Sequence, residues 1–272
     1  MKLKNKYLIS LDLDGTLLKD NKKICFNTKK YIKKLVKQGN FIVLNSGRPY
    51  RALIGYYNQL KIKTPAICYN GSLIIYPDNV NLQPHKKPFD QKYLLKVLKR
   101  IPNGYVKCIM CETEEEIWLT NDICFKFLYY NKDNKMKIHY GDLTKTLNND
   151  TYTCIFEMAN NNPETKEFFS HLCDDNPNYA IRFWASGFFC EIAHSDINKA
   201  EALKLVAKDL NISPDNIYTF GDSDNDVELI TAFKHGVAMI NGAPEIKEIA
   251  PFVTDYDNNH NGIMKFLKKH LK

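Results

Sequence analysis

Apolar and polar positions change rhythm several times along the chain. Tyr7-Leu8-Ile9-Ser10-Leu11-Asp12-Leu13 is a nearly unbroken apolar run, the pattern of a buried strand. Residues 27 to 38 then place Tyr31, Ile32, Leu35 and Val36 on one helical face. Asn27 or Thr28 can cap the start and Gly39 lies just past the end, so a helix is predicted there. Phe41-Ile42-Val43-Leu44 and Ala66-Ile67-Cys68-Tyr69 read as two further strands, each followed by polar or glycine-containing turn residues. Strands alternating with amphipathic stretches predict βαβ units joined by parallel crossovers.

The same rhythm returns after about residue 190. Leu203, Val206, Ala207 and Leu210 form a helical stripe, Ile217-Tyr218-Thr219-Phe220 a strand ending at Gly221-Asp222, and Val237-Ala238-Met239-Ile240 and Phe252-Val253-Thr254 continue the series. Residues 82 to about 190 differ, with aromatic strand-like runs, Asn/Asp-rich breaks and a helix near 90 to 100. The simplest organisation is one α/β core domain made of residues 1–81 and 190–272, with an α+β domain, 82–189, inserted in its middle. At 272 residues the chain is long enough for two such modules.

Composition excludes several classes. The chain is 44% hydrophobic and 25% charged, which suits a packed globular protein and argues against disorder. Its +7 net charge comes from 34 Lys scattered mostly singly or in pairs, with four Arg, and lacks the dense basic face of a nucleic-acid binder. No apolar stretch approaches the roughly 20 residues that span a bilayer. Met1 to Lys6 lack the apolar region of a signal peptide, so a cytoplasmic protein with eight reduced cysteines is expected. Cys108-x-x-Cys111 is the one spacing that suits zinc, but no second pair completes four ligands.

In a parallel sheet, ligands bind beyond the carboxyl ends of the strands, so the polar residues found there are informative. The first strand delivers Asp12 and Asp14 followed by Gly15-Thr16, the second Asn45-Ser46-Gly47-Arg48, the third Asn70-Gly71, and a late strand Gly221-Asp222-Ser223-Asp224-Asn225-Asp226. Lys199 precedes the helix that feeds this last strand. Two carboxylates one residue apart can both face a single Mg2+ if the backbone turns, and Gly15 permits the turn. Asp222 supplies a third. Such a cluster beside a phosphate requires a cation to offset its charge. Lys199, the Ser46 hydroxyl and the backbone amides of Leu13 and Gly47 are donors of the kind that hold phosphate oxygens, and Asn225 can add another. With phosphate fixed, the Asp12 carboxylate can attack phosphorus, and Asp14 is placed for proton transfer.

Taken singly, each motif has a plain alternative as a turn or a solvated acidic loop. Their order, each at a strand end, is what distinguishes them. Asp12-Leu13-Asp14-Gly15-Thr16, Ser46, Lys199 and Gly221-Asp222-x-x-Asn225-Asp226 resemble the four motifs of the haloacid dehalogenase superfamily. Asn45-Ser46-Gly47-Arg48-Pro49, Asn70-Gly71, the long insertion and Asn241-Gly242-Ala243 resemble its Cof-type subfamily, which carries a C2B cap (type IIB).

That resemblance implies a Rossmann-like parallel-sheet core with an inserted α+β cap, Mg2+ as cofactor, and hydrolysis of small phosphomonoesters such as sugar phosphates. Asp12 matches the nucleophile, and Asp14 the general acid/base that binds the metal through its backbone carbonyl. Ser46 and Lys199 match the phosphate holders and Asp222 the distal metal ligand. Thr16 and Asp226 are expected in support, with Arg48 and Asn70 as possible substrate contacts. Two positions depart from the pattern: Ala200 stands where the family has Gly after the lysine, and Gly242 where it has Ala after the asparagine.

The expected partner is a small phosphorylated metabolite, with no nucleic acid or membrane, and the expected state a monomer or weak homo-oligomer. A phosphomutase or phosphotransferase would use the same phosphorylated Asp12 but return an isomerised or transferred product. A receiver-like signalling module would keep the phosphate, but needs neither the large insertion nor Asp14.

Overall fold

The computed structural model describes residues 6–78, 82–121, 136–184 and 186–271. In chain order the elements are β1 (Leu8–Leu11), α1 (Phe26–Lys37), β2 (Phe41–Leu44), α2 (Tyr50–Leu60), β3 (Ala66–Cys68), β4 (Leu73–Ile75), β5 (His85–Lys86), α3 (Gln91–Leu98), β6 (Val106–Glu112) and β7 (Glu116–Leu119). They continue with β8 (Lys137–Tyr140), α4 (Leu143–Thr146), β9 (Thr153–Met158), α5 (Pro163–Ser170), β10 (Tyr179–Phe183), β11 (Phe189–His194) and α6 (Lys199–Asp209). The last are β12 (Ile217–Gly221), α7 (Val227–Thr231), β13 (His235–Ala238), α8 (Pro244–Ile249), β14 (Phe252–Val253) and α9 (Gly262–His270).

Two compact units emerge, Met1–His85 with Asn198–Lys272, and Lys86–Ile197. The first is built on a parallel sheet ordered β14-β13-β12-β1-β2, so strands from opposite ends of the chain lie side by side. Leu8 pairs with both Ile217 and Phe41, which puts β1 in the middle, and all four of its residues are buried. A strand covered on both faces has no solvent side to record, hence its unbroken apolar run. On one face, Leu203, Val206 and Ala207 of α6 and Leu229 of α7 pack with Leu8, Val43 and Ile217. Elsewhere Phe266 of α9 meets Phe220 of β12 edge-on at 5.6 Å. The third strand read from the sequence departs from expectation: β3 turns back antiparallel onto β4 in a small separate sheet. Only an isolated parallel bridge between Asn45 and Ile67 continues the main sheet toward it.

The inserted unit is a six-stranded sheet ordered β10-β11-β9-β6-β7-β8. All its pairings are antiparallel except β7 with β8. Its limits, Lys86 and Ile197, fall later than the 82 and 189 read from the sequence, the second because Phe189–His194 is a strand paired with β10 and β9. One cluster contains Cys111, Cys154, Phe156 and Phe169 with Trp118, while Cys108 packs in another with Met110 and Ile117. The two cysteines of the Cys108-x-x-Cys111 pair are thus in different clusters, and the seven described cysteines are all buried free thiols. Cys124 lies outside the described residues. Among the described residues, no helix is long and apolar enough to cross a membrane.

A polar clasp joins α3 to the turn after α5. Asp175 accepts from Lys96 Nζ at 2.7 Å, Tyr93 Oη at 3.1 Å and Arg100 Nη2 at 3.1 Å. Hydrogen bonding to Lys96, reinforced by Arg100 and Tyr93, holds this carboxyl down at about 2. Its value in an unfolded chain is about 3.9, so the clasp contributes stability fully present above about pH 4 and lost as pH falls through about 2. Asp175→Asn should flatten the dependence of the unfolding midpoint on pH in that window and leave the neutral limb parallel to wild type. An acid limb identical in the two proteins would count against the clasp.

Candidate active site

The carboxyl ends of β1, β2 and β12 bring the expected groups together within the first unit. Asp12 directly follows β1, Ser46 and Arg48 lie just beyond β2, and Asp222 directly follows β12. Lys199 is the first residue of α6, whose start is capped by the Asn198 side chain accepting from the amides of Ala200 and Glu201. Asn45, at the end of β2, donates to the Lys199 carbonyl at 3.0 Å and to the Ser10 hydroxyl. This ties the helix start to the sheet.

Lys199 is the centre of the site. Its ammonium is wholly buried and donates to Asp12 Oδ1 and to Asp226 Oδ1, both at 2.7 Å. Burial opposes its charge, but the two carboxylates outweigh it and raise its pKa. Burial also pushes Asp12 well above the usual carboxylate range, with Asp226 and Asp222 adding to the push and Lys199 opposing it. Asp226 uses its other oxygen to accept from the amides of Asp222 and Ser223 at 3.0 and 3.3 Å. It therefore shapes the loop that presents Asp222. Asp222 accepts the Thr16 hydroxyl at 2.6 Å, and burial beside Asp226 raises its pKa to about 7.

The turn after β1 requires a glycine. Gly15 has φ +74°, and a Cβ there would lie 2.2 Å from Asp222 Oδ2. The carbonyls of Asp12 and Leu13 accept from the amides of Leu17 and Leu18, which closes the turn into a compact loop. Among the described residues, the amides of Leu13 and Gly47 donate no hydrogen bond. The Ser46 oxygen accepts the Arg48 amide at 3.2 Å and keeps its own proton to donate.

Three further site residues are held by partners on neighbouring loops. The Asp14 carboxylate is clamped by Arg48, with Nε to Oδ2 at 2.7 Å and Nη2 to Oδ1 at 2.5 Å, and by Lys22 Nζ at 2.7 Å. Burial works against ionisation, yet the two cations prevail and hold Asp14 below its ordinary value. Arg48, expected as a possible substrate contact, is thus paired with Asp14. Asn70 accepts from Asn225 Nδ2 at 2.9 Å, so one donor of Asn225 links two strand-end loops.

Oxygens of Asp12, Asp222 and Asp226 lie within 4.8 Å of one another, a donor set suited to a hard divalent cation. Both Asp226 oxygens already accept hydrogen bonds, whereas Asp12 Oδ2 and Asp222 Oδ2 accept none among the described residues. The open oxygens therefore belong to Asp12 and Asp222, and the residues fit Mg2+. Sequence reasoning missed Lys22 and the tie between Asn45 and Lys199. Lys22 sits in a polar turn among many lysines, and nothing local marks it. Asn45 stands out as a polar residue at its strand end, but its partner lies 154 positions away.

Lys199→Met should cost about 3 to 5 kcal/mol in denaturant unfolding, because it leaves Asp12 and Asp226 buried without their shared cation. Adding Asp226→Asn should recover part of the loss. Equal stability of wild type and the single variant would contradict this coupling.

The sequence profile of the haloacid dehalogenase-like hydrolases matches residues 9–267. A curated relative, the 5-amino-6-(5-phospho-D-ribitylamino)uracil phosphatase YitU of Bacillus subtilis, is 32% identical over 277 residues, covering 97% of each chain. A second Bacillus subtilis phosphatase with the same stated substrate, YcsE, is 25% identical and covers 96% of this chain and 94% of its own. Among solved structures, a haloacid dehalogenase-like hydrolase from Bacteroides thetaiotaomicron superposes with TM-score 0.79 at 24% identity, over 97% of this chain and 99% of its own. The subclass IIB sugar phosphatase BT4131 superposes with TM-score 0.78 at 20% identity, over 97% and 98%. The chain belongs to the haloacid dehalogenase-like hydrolase family and is a phosphoric monoester hydrolase.

Proposed function

We propose that this enzyme hydrolyses small phosphomonoesters by way of a phosphorylated Asp12, with Mg2+ as cofactor. The observation that carries the reading is the buried Lys199–Asp12 pair, which leaves Asp12 Oδ2 without a hydrogen bond at the same strand ends where the amides of Leu13 and Gly47 and the Ser46 hydroxyl have no acceptor. An attacking carboxylate must be ionised, burial works against that at Asp12, and Lys199 together with Mg2+ when bound would supply the compensating charge. The amides of Leu13 and Gly47, the Ser46 hydroxyl and Lys199 hold the phosphoryl oxygens. Asp12, Asp222 and the carbonyl of Asp14 would hold the cation. When bound, Mg2+ offsets the negative charge of carboxylates and phosphate.

In the first step an Asp12 oxygen bonds to phosphorus, the ester P–O bond breaks, and the leaving oxygen takes a proton from Asp14. In the second, Asp14 accepts a proton from water as it attacks phosphorus, phosphate departs, and Asp12 is regenerated. The Arg48 and Lys22 clamp favours the carboxylate form that the second step uses. Loading Asp14 with a proton for the first requires that grip to relax.

The substrate class follows the relatives. Two of them act on a ribitylamino-pyrimidine phosphate and a solved neighbour is a sugar phosphatase, so polyol and sugar phosphates are the first esters to try. The division into a catalytic unit and an inserted unit that governs substrate choice is part of the same proposal.

With Mg2+ present, a panel of such phosphates should release inorganic phosphate from wild type. Asp12→Asn should abolish release while keeping the wild-type circular dichroism. Turnover by Asp12→Asn at the wild-type rate, or wild-type turnover undiminished by a chelator, would overturn the mechanism. An isomerised product in place of free phosphate would identify a mutase.

A further inference from the structure

We infer that Asn258 is a positioning residue for the Asp12–Leu18 loop, acting through Asn241 and the Leu18 carbonyl; this rests on the phosphatase reading above. Asn258 lies just beyond β14 and belongs to none of the motifs that mark the site. It is 6% exposed, and its side chain donates to the carbonyl of Leu18 at 2.9 Å and to Asp20 Oδ1 at 3.1 Å. Leu18 is 240 positions away in sequence. Its own amide donates to the Leu13 carbonyl at 2.8 Å, and it bridges to Asp14. Holding Leu18 therefore holds the downstream end of the turn that carries Asp12 and Asp14.

A second connection runs in parallel. The Asn258 backbone amide donates to Asn241 Oδ1 at 3.1 Å, and Asn241 Nδ2 donates to the Gly15 carbonyl at 2.7 Å. Both ends of the Asn241 amide are thus used, and Asn258 orients it. Next to Asn241, the Ala243 amide donates to the Asp222 carbonyl at 2.9 Å. A Cβ at Gly242 would meet Asp222 O at 2.9 Å and Asp222 Cα at 3.0 Å. The segment 241–243 thus touches the β1 loop on one side and Asp222 on the other, and Asn258 joins it to Leu18.

This arrangement answers a physical requirement. Asp12, Asp222 and Asp226 are acids on two separate loops, with oxygens within 4.8 Å of one another. The sheet fixes Asp12 itself, whose amide donates to the Phe220 carbonyl, and leaves the turn from Leu13 to Leu18 to be held by its own contacts. Two neutral asparagines hold that turn at Gly15 and Leu18 without adding charge to the acidic cluster. Gly242, where the family pattern has alanine, lets the segment approach Asp222 more closely than a methyl group would allow.

The test uses the full chain, with Mg2+ alone as the binding probe and p-nitrophenyl phosphate as the ester. Asn258→Asp keeps the size but removes the donor, and Asn258→Ala removes the side chain. Both should weaken Mg2+ binding by calorimetry about tenfold and lower kcat about tenfold, in line with other groups that orient metal ligands, with KM changed less than about twofold. Asn258→Gln, which keeps the amide donor, should recover part of each loss.

Mg2+ affinity and kcat at wild-type levels in Asn258→Asp, with only the unfolding midpoint lowered, would overturn the inference in favour of a purely structural role. If neither Asn258→Asp nor Asn258→Ala folds, Gly242→Ala tests the same segment with every hydrogen-bonding group retained. It should weaken Mg2+ binding, and unchanged binding would count against the inference. A wild type that neither binds Mg2+ nor cleaves the ester would overturn the phosphatase reading and this one together, whereas an active wild type with unaffected variants would overturn this one alone.

Discussion

The site depends on one buried cation between two carboxylates. Lys199 has no access to water and donates to Asp12 and Asp226 at the same distance. Removing either carboxylate leaves a charge balance the interior tolerates poorly, and removing the lysine leaves two anions with nothing to offset them. The sheet order follows the same logic. Asp12 comes from β1 and Asp226 from the loop after β12, which are neighbouring strands. The lysine enters from the start of α6, which packs against both. Parallel pairing of strands more than two hundred residues apart is what allows a single ammonium to reach both acids.

Around this centre the loops are fastened by neutral groups. Thr16 binds Asp222, Asn225 binds Asn70, and Asn45 binds the carbonyl of Lys199. Asn241 and Asn258 fasten the first loop from the C-terminal side. Using amides and hydroxyls here keeps the local charge confined to the acids and the lysine. Asp14 stands apart from this scheme. Its partners Arg48 and Lys22 are charged, and they hold its carboxylate in a fixed direction at the partly exposed edge of the cluster.

Some elements were legible because their signal is local. The helix read at 27–38 is α1 at 26–37, and the strand read at 41–44 is β2, since apolar periodicity and turn residues report directly on burial and chain reversal. The third strand was legible as a strand and not as a member of its sheet. The choice between continuing parallel beside β2 and folding back onto β4 is made by partners outside the segment. The carboxyl-side limit of the insertion shifted for the same reason: Phe189–His194 is assigned to the inserted unit by its pairing with β10 and β9.

The sequence by itself determined which chemical groups stand at the strand ends, Asp12, Asp14, Ser46, Asp222 and Asp226, and that Lys199 opens the helix between the second and last of these strands. That information survives without coordinates because the strand or helix that carries each group is written in the adjacent residues. What only the tertiary structure decided is which groups meet. It pairs Lys199 with Asp12 and Asp226, turns Arg48 onto Asp14, brings Lys22 to the same carboxylate, and makes Asn258 a neighbour of Leu18. Each of these is a side-chain contact between residues far apart in sequence or in a loop without periodicity. Its energy depends on distance and burial, and one-dimensional spacing carries neither.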